Sequence, residues 1–279
     1  MSLNIETATS GDAQYVALER VPLDENGQFA AVVRLNRPEQ LNAISWTVQR
    51  VLIRAIEEAA TDDDVRIIFV TGTGRGFSAG GDIKAYAELQ ADAEAFTEFL
   101  DEYCGLLELI GKLDKPVIAL VNGLCAAGGT ELLLACDFAW AAESARIGDM
   151  HINFAQIGGA GALARLPRLI GSSRALELML SGRMLDAREA LDWGLVNRVL
   201  PDEDLLPAAL DFARQFAGKS RKAAEYMKKT VWNGLATDTP SALRLERDSA
   251  LEYLMSNPDS MEGIRAFIEK RKPDYRRLR

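Results

Sequence analysis

The sequence predicts an α/β protein with a strand-rich core over residues 1–200 and a helical region over 201–279. Three observations carry this. The chain opens with two β-rich runs, "QYVALERV" and "FAAVVRLN", separated by a segment containing Asn26-Gly27, a strong hairpin-turn signal. Twice afterwards a short apolar run leads through a glycine-rich turn into helical periodicity. Beyond Pro167 the text becomes mostly helical.

Taken in order, the opening runs form an antiparallel pair. Ser45 then caps a helix through "WTVQRVLIRAIEEAA", where Trp46, Leu52, Ala55, Ile56 and Ala59 recur at helical spacing. "RIIFVTG" reads as a buried strand, followed by the glycine-rich loop "GTGRGFSAGGD" and one long helical region from Ile83 to Leu113. Pro116 opens the strand "VIALVNG", and the pair Gly128-Gly129 precedes a helix beginning near Thr130. "CDFAWAAESARIG" holds two short apolar runs, and "QIGGAGALARL" reads as a loop entering a helix. The helical segments "SSRALELMLSG", "DAREALDWG", "LLPAALDFARQFAG", "RKAAEYMKKTVWNG" and "MEGIRAFIEKRK" follow, interrupted by one strand near "LVNRVL".

Composition narrows the function classes. The 279 residues are 48% hydrophobic, enough for a sizeable core. With 41 acidic against 32 basic residues, the surface repels nucleic acid and anionic lipid on average, so an anionic substrate needs a local basic patch. Cys104, Cys125 and Cys136 lack metal or redox spacing and suit a reducing cytoplasm. The N-terminal "MSLNIETATSGDAQ" has no basic and apolar leader pattern. The stretch 117–142 is apolar, but Glu131 and Asp137 argue against a membrane span. There is no P-loop, no H-E-x-x-H metal site and no G-x-S-x-G elbow; no metal is expected.

Two glycine-rich turns carry the chemistry. In "FSAGGDIK" small residues let a backbone approach a ligand, and Asp82 starts a helix. In "NGLCAAGGTELLLACD" the Gly128 amide is an unpaired donor at a helix start. Glu131 in the next turn either complements the helix dipole or, raised in pKa among leucines, acts as a general acid or base. One backbone N–H from each turn can together hold the oxygen of a polarised carbonyl.

The segments "NRPEQLNAIS", "RGFSAGGDIK", "NGLCAAGGTELLLACD", "LPRLIG", "SGR" to "GLVNRV" and the terminal "FIEKRKP" together resemble the crotonase superfamily, the enoyl-CoA hydratase/isomerase family, in order along nearly the whole chain. The resemblance implies a spiral of β-β-α units with a C-terminal helical region that serves oligomerisation and CoA closure, assembled as a homotrimer or dimer of trimers. It implies an acyl-CoA thioester substrate, with no cofactor beyond the coenzyme A of the substrate, and an enolate held by two backbone amides, on matching positions those of Ala79 and Gly128. It also implies substrate contacts from Glu39, Gln40, Leu41 and Ala43, from Ser78, Gly80, Gly81, Asp82, Ile83 and Lys84, and from Gly129. Phe267 and Lys270 would close over the nucleotide, from this chain or a neighbouring subunit, with Lys84 and Lys270 helping to supply the positive field.

Hydratases of this family carry a second glutamate about twenty residues after the first. Glu131 matches the first, and His151, the only histidine, holds the position of the second. The expected reaction is addition of water to a 2-enoyl-CoA, with Glu131 as base and His151 as acid, since an imidazole exchanges protons near neutral pH. Alternatives on the same scaffold are double-bond isomerisation or hydrolysis of a β-diketone C–C bond, and, in another class, a non-catalytic acyl-CoA-binding protein. Asp149 either orients the imidazole, if the run is extended and both side chains share a face, or is a surface loop carboxylate. Residues 85–113 set the acyl pocket's depth, and Gly158, Gly159 and Gly161 shape its end.

Overall fold

The computed structural model describes residues 6–7 and 12–275; the stretch read for a leader lies mostly outside them, as do the last four residues of the basic C-terminus. The chain begins with β1 (Glu6–Thr7), β2 (Val16–Pro22) and β3 (Phe29–Leu35); β2 and β3 are antiparallel as the hairpin signal predicts, and β1, which was not expected, pairs antiparallel with β2. Helix α1 (Trp46–Thr61) is capped by Ser45, whose side chain accepts the Val48 N–H, and buries Val48, Leu52, Ala55, Ile56 and Ala59.

Three β-β-α passes follow. The first runs β4 (Val65–Gly72), β5 (Gly76–Ser78), α2 (Ile83–Leu89) and α3 (Ala93–Lys112). The second runs β6 (Val117–Val121), β7 (Leu124–Ala126) and α4 (Gly128–Ala135). The third runs β8 (Phe138–Ala142) and β9 (Arg146–Gly148) into α5 (Ala162–Ile170) and α6 (Ser172–Ser181). Then come β10 (Leu185–Asp186), α7 (Ala187–Asp192), β11 (Arg198–Leu200), α8 (Leu205–Ala217), α9 (Arg221–Leu235), α10 (Thr239–Ser256) and α11 (Pro258–Ile268).

In each pass the first strand joins one sheet and the second joins another. Among the described residues the large sheet runs β1-β2-β3-β4-β6-β8-β11 and the small one β10-β9-β7-β5. From β3 onward the large sheet is parallel, which is why β4 is buried along its whole length. Alternate residues of its strands feed two cores. Val33, Val70, Ala119 and Ala141 face the helices of the passes, while Val32, Phe69, Leu120 and Trp140 pack under Leu205, Ala209, Leu210 and Ala213 of α8.

The structure refines three expectations. The long helix from Ile83 breaks into α2 and α3, because Asp92 leaves the helix and caps the second piece through the Glu94 and Ala95 amides. The loop after β4 contains a strand, β5, paired with β7. Helix α4 begins at Gly128 rather than near Thr130. Over residues 117–142 the chain is strand, turn and helix, and among the described residues no helix is long and apolar enough to cross a membrane.

Candidate active site

The small sheet places the site. Strands β5, β7 and β9 are parallel and adjacent, so their C-terminal ends lie side by side. The first opens into Ala79–Gly81, the second into Ala127 and α4, the third into Asp149–His151. Every reactive group discussed below leaves one of these three ends, an arrangement shared with other parallel sheets.

A pocket of about 290 Å³ lies there, lined by Gly81, Ala127, Gly128, Glu131 and His151 among polar and backbone groups. Its apolar wall comes from Ile44, Tyr86, Phe99, Leu100 and Tyr103, with Phe154 and Ile157 at the rim. The expectation that residues 85–113 set its depth holds for Tyr86, Ala87, Gln90, Phe99, Leu100 and Tyr103. Ile44, Phe154, Gln156 and Ile157 were not expected; the last three precede the Gly158-Gly159 turn, and Ile44 is brought in by its bridge to Gly81, which nothing near it in the sequence signals.

One expected amide is corrected. The Ala79 N–H donates to the Leu41 carbonyl at 2.9 Å and is unavailable to a ligand. Gly81 pairs with Ile44 in a parallel bridge, in which Ile44 donates to Gly80 O and Asp82 donates to Ile44 O. Such a bridge turns the Gly81 N–H to the opposite side. The Gly128 N–H is the first of α4, and Ala127 reaches it at φ 48° with no side-chain cap. Neither amide has a protein acceptor among the described residues. They are neighbours: a Cβ at Gly128 would lie 3.6 Å from Gly81 N.

Glu131 is buried to 3% exposure, and its Oε1 accepts the amides of Ala160 at 2.8 Å and Ala162 at 3.3 Å. The carboxylate therefore reaches across to Ala160 and the start of α5, while its place in the first turn of α4 also complements that helix. Burial raises its pKa, against the two amides and the His151 charge, which lower it. The His151 Nδ1 lies 3.0 Å from Asp149 Oδ1. Burial works against the imidazolium, but the Asp149 hydrogen bond, the Asp149 charge and the Glu131 charge outweigh it and raise the pKa above 6.5. Gly158 separates the two side chains: a Cβ there would lie 3.2 Å from Glu131 Oε1 and 3.5 Å from His151 Cε1.

Asp149 is not a surface carboxylate: it is 3% exposed. The segment is also not extended, because Met150 turns at φ 62° and His151 begins a 3-10 turn, His151–Phe154.

Several expected substrate contacts are spent on the scaffold. Ser78 is fully buried, donating to Asn42 O and accepting the Gly80 N–H. Asp82 caps α2 and pairs with Arg37 at 3.1 Å. Gly129 lets α4 approach Ser78, whose carbonyl a Cβ would meet at 2.5 Å. Gly80 sits at φ 89° against the Ala126 carbonyl. Ala79 and Ile83 line the pocket, and Ile83 is 62% exposed. Glu39, Gln40 and Lys84 are exposed, Leu41 is half-buried and Ala43 buried. Phe267, 84% exposed, and Lys270 lie at the end of α11 and do not line this pocket. Gly159 lines it; Gly161 instead starts α5. Among the described residues no cluster of His, Cys, Asp and Glu is set to hold a metal.

The sequence profile of the enoyl-CoA hydratase/isomerase family matches residues 25–277. The chain belongs to that family. It is 37% identical over 245 residues to a Rhizobium meliloti protein named "Probable enoyl-CoA hydratase", covering 88% of this chain and 93% of that one. It is 34% identical to the crotonyl-CoA hydratase of Syntrophomonas wolfei over 262 residues, 93% of this chain and 99% of the other. The crystal structure of an enoyl-CoA hydratase from Bacillus anthracis superposes with a TM-score of 0.86 at 35% identity, covering 94% of this chain and 99% of that one. The family's fold is the β-β-α spiral described above.

Proposed function

We propose that this chain is an enoyl-CoA hydratase, adding water across the double bond of a 2-enoyl-CoA. The observation that carries the reading is the convergence, in one largely apolar pocket, of two acceptor-free amides with a buried carboxylate and an imidazole. The Gly81 and Gly128 amides receive the thioester oxygen. They sit where charge develops when the double bond's electrons move onto that oxygen.

Glu131 is the base. Its Oε1 is held by Ala160 and Ala162, which leaves Oε2 to take a proton from water as the oxygen bonds to Cβ. The enolate then collapses, and Cα takes a proton from Nε2 of the His151 imidazolium. Solvent returns the Glu131 proton to His151 and closes the cycle. Coenzyme A belongs to the substrate, and the site needs no other cofactor.

The CoA portion runs outward past Glu39–Ala43, Ile83 and Lys84. Phe267 and Lys270 come from a neighbouring chain, since in their own they lie away from the pocket. The chain assembles as a homotrimer or dimer of trimers. The free, mostly buried cysteines fit a cytoplasmic setting.

The test follows loss of conjugated-thioester absorbance with crotonyl-CoA and longer 2-enoyl-CoA substrates. Glu131→Gln and His151→Gln are each expected to lose about 10²- to 10⁴-fold in kcat. The rate should fall as pH drops through the Glu131 pKa, above 4.5, because the base must be ionised, and as pH rises through the His151 pKa, above 6.5, because the acid must be protonated. A native protein that hydrates none of these substrates sinks the reading, and β-diketone substrates become the next panel.

A further inference from the structure

Asp149 follows β9 and is buried to 3% exposure, yet its only hydrogen-bond partner among the described residues is the imidazole of His151. A buried carboxylate without a partner is costly, so the pairing explains why an acid is tolerated there. The αL turn at Met150, φ 62°, folds the chain back so that residues two apart meet. A carboxylate accepts and cannot donate, so the imidazole nitrogen it meets must carry a hydrogen.

We propose that Asp149 is a positioning residue: it holds the Nδ1–H of His151, which lines the pocket, so that the exchangeable proton is carried on Nε2. The proposal rests on the hydratase reading for its kinetic consequence, but not for its structural one. In the neutral ring Nε2 is bare, and in the imidazolium it is the proton Cα receives. Without Asp149, the neutral ring is free to place its hydrogen on either nitrogen.

The charges acting on the imidazole are Asp149 from its own segment and Glu131 from α4. The phenols lining the same pocket are Tyr86 of α2 and Tyr103 of α3, the latter donating to Gly128 O. Helix α6 packs on the His151–Phe154 turn, but its Glu177 pairs with Arg183 and its Arg174 lies against Trp193. With burial opposing the imidazolium, Asp149 and Glu131 hold its pKa up.

Because His151 is the chain's one histidine, ¹⁵N-histidine labelling reports it without assignment. In the native protein above the His151 pKa, the spectrum should show a protonated Nδ1 and a bare Nε2. In Asp149→Asn the midpoint should fall by about one pH unit or more. The alkaline limb of kcat/KM should fall with it, and kcat should drop by about 10²-fold or more. Asp149→Glu should recover part of both. A native ring protonated on Nε2 overturns the proposal, as does an Asp149→Asn variant whose midpoint and alkaline limb stay in place. If Asp149→Asn does not fold, the native tautomer decides alone. The expected tautomer in a protein that hydrates no 2-enoyl-CoA supports the positioning of the ring and overturns only the hydratase reading.

Discussion

Gly158 occupies the gap between the two ionisable side chains, and nothing about its backbone demands glycine, since its φ lies outside the left-handed range. An alanine methyl there would press on Ala162 Cβ at 3.0 Å, Glu131 Oε1 at 3.2 Å and His151 Cε1 at 3.5 Å. Gly158→Ala should therefore fold with near-native melting and lose about 3- to 10-fold in kcat, because Glu131 must give by a few tenths of an ångström and a misplacement of about 1 Å costs about 10²-fold. Unchanged kcat would show that the space between Glu131 and His151 is not used. Glu131 and His151 were legible as a pair only through the family resemblance, which places a second glutamate where His151 stands; both line the one pocket. The donor amide was not: "SAGG" offers consecutive amides, and which one is free depends on the bridge between Gly81 and distant Ile44. Ser78 was misleading for the same reason, because its hydroxyl is claimed by Asn42, a residue 36 positions away in sequence.

At the scale of elements, the meeting of β5 and β7 depends on the backbone of Gly80. Its φ of 89° strains any other residue, and a Cβ would stand 2.8 Å from Ala126 O, 2.8 Å from Ala127 Cβ and 2.9 Å from Gly128 N. Two of these are backbone atoms that cannot swing aside. Gly80→Ala should lower stability by about 1–3 kcal/mol in denaturant unfolding, combining left-handed strain with overpacking. It should also abolish turnover, because the displaced atoms hold both donor amides; a fully active variant would show that these strand ends tolerate separation. Helix α1 was legible to its cap because Ser45 and the apolar spacing agree. The break between α2 and α3 was not, since "LQADAEA" contains neither glycine nor proline and only the Asp92 side chain, turned to two amides, ends one helix and starts the next. Strand β5 hid inside a glycine-rich run, its pairing with β7 supplied from 48 residues away at Gly76 and Leu124.

For the whole molecule, the decisive contrast lies between α8 and the helices after it. Helix α8 is absorbed into the back of the large sheet, whereas α10 buries none of its residues and leaves Leu243, Leu251, Leu254 and Met255 exposed. Helix α9 is fastened by Lys228, which pairs with Asp137 at 3.0 Å, and by Trp232, which donates to the same carboxylate, so the α9–α10 pair is held in place while its outer face stays apolar. Leu176 and Leu180 on α6 are likewise more than half exposed. Apolar side chains this exposed fit the proposed assembly, in which another copy of the chain would cover them. Sedimentation should give a mass three or six times 30.5 kDa. Charge substitution on the outer face of α10, such as Leu251→Asp, should then lower that mass and, on the proposal that Phe267 and Lys270 bind the nucleotide from a neighbour, raise KM for the CoA thioester several-fold. Phe267→Ala should raise KM while leaving the mass unchanged. A native protein sedimenting as one chain with full activity would remove both the assembly and the neighbour's part in binding, and Phe267 would have to reach the nucleotide by movement of α11 within its own chain.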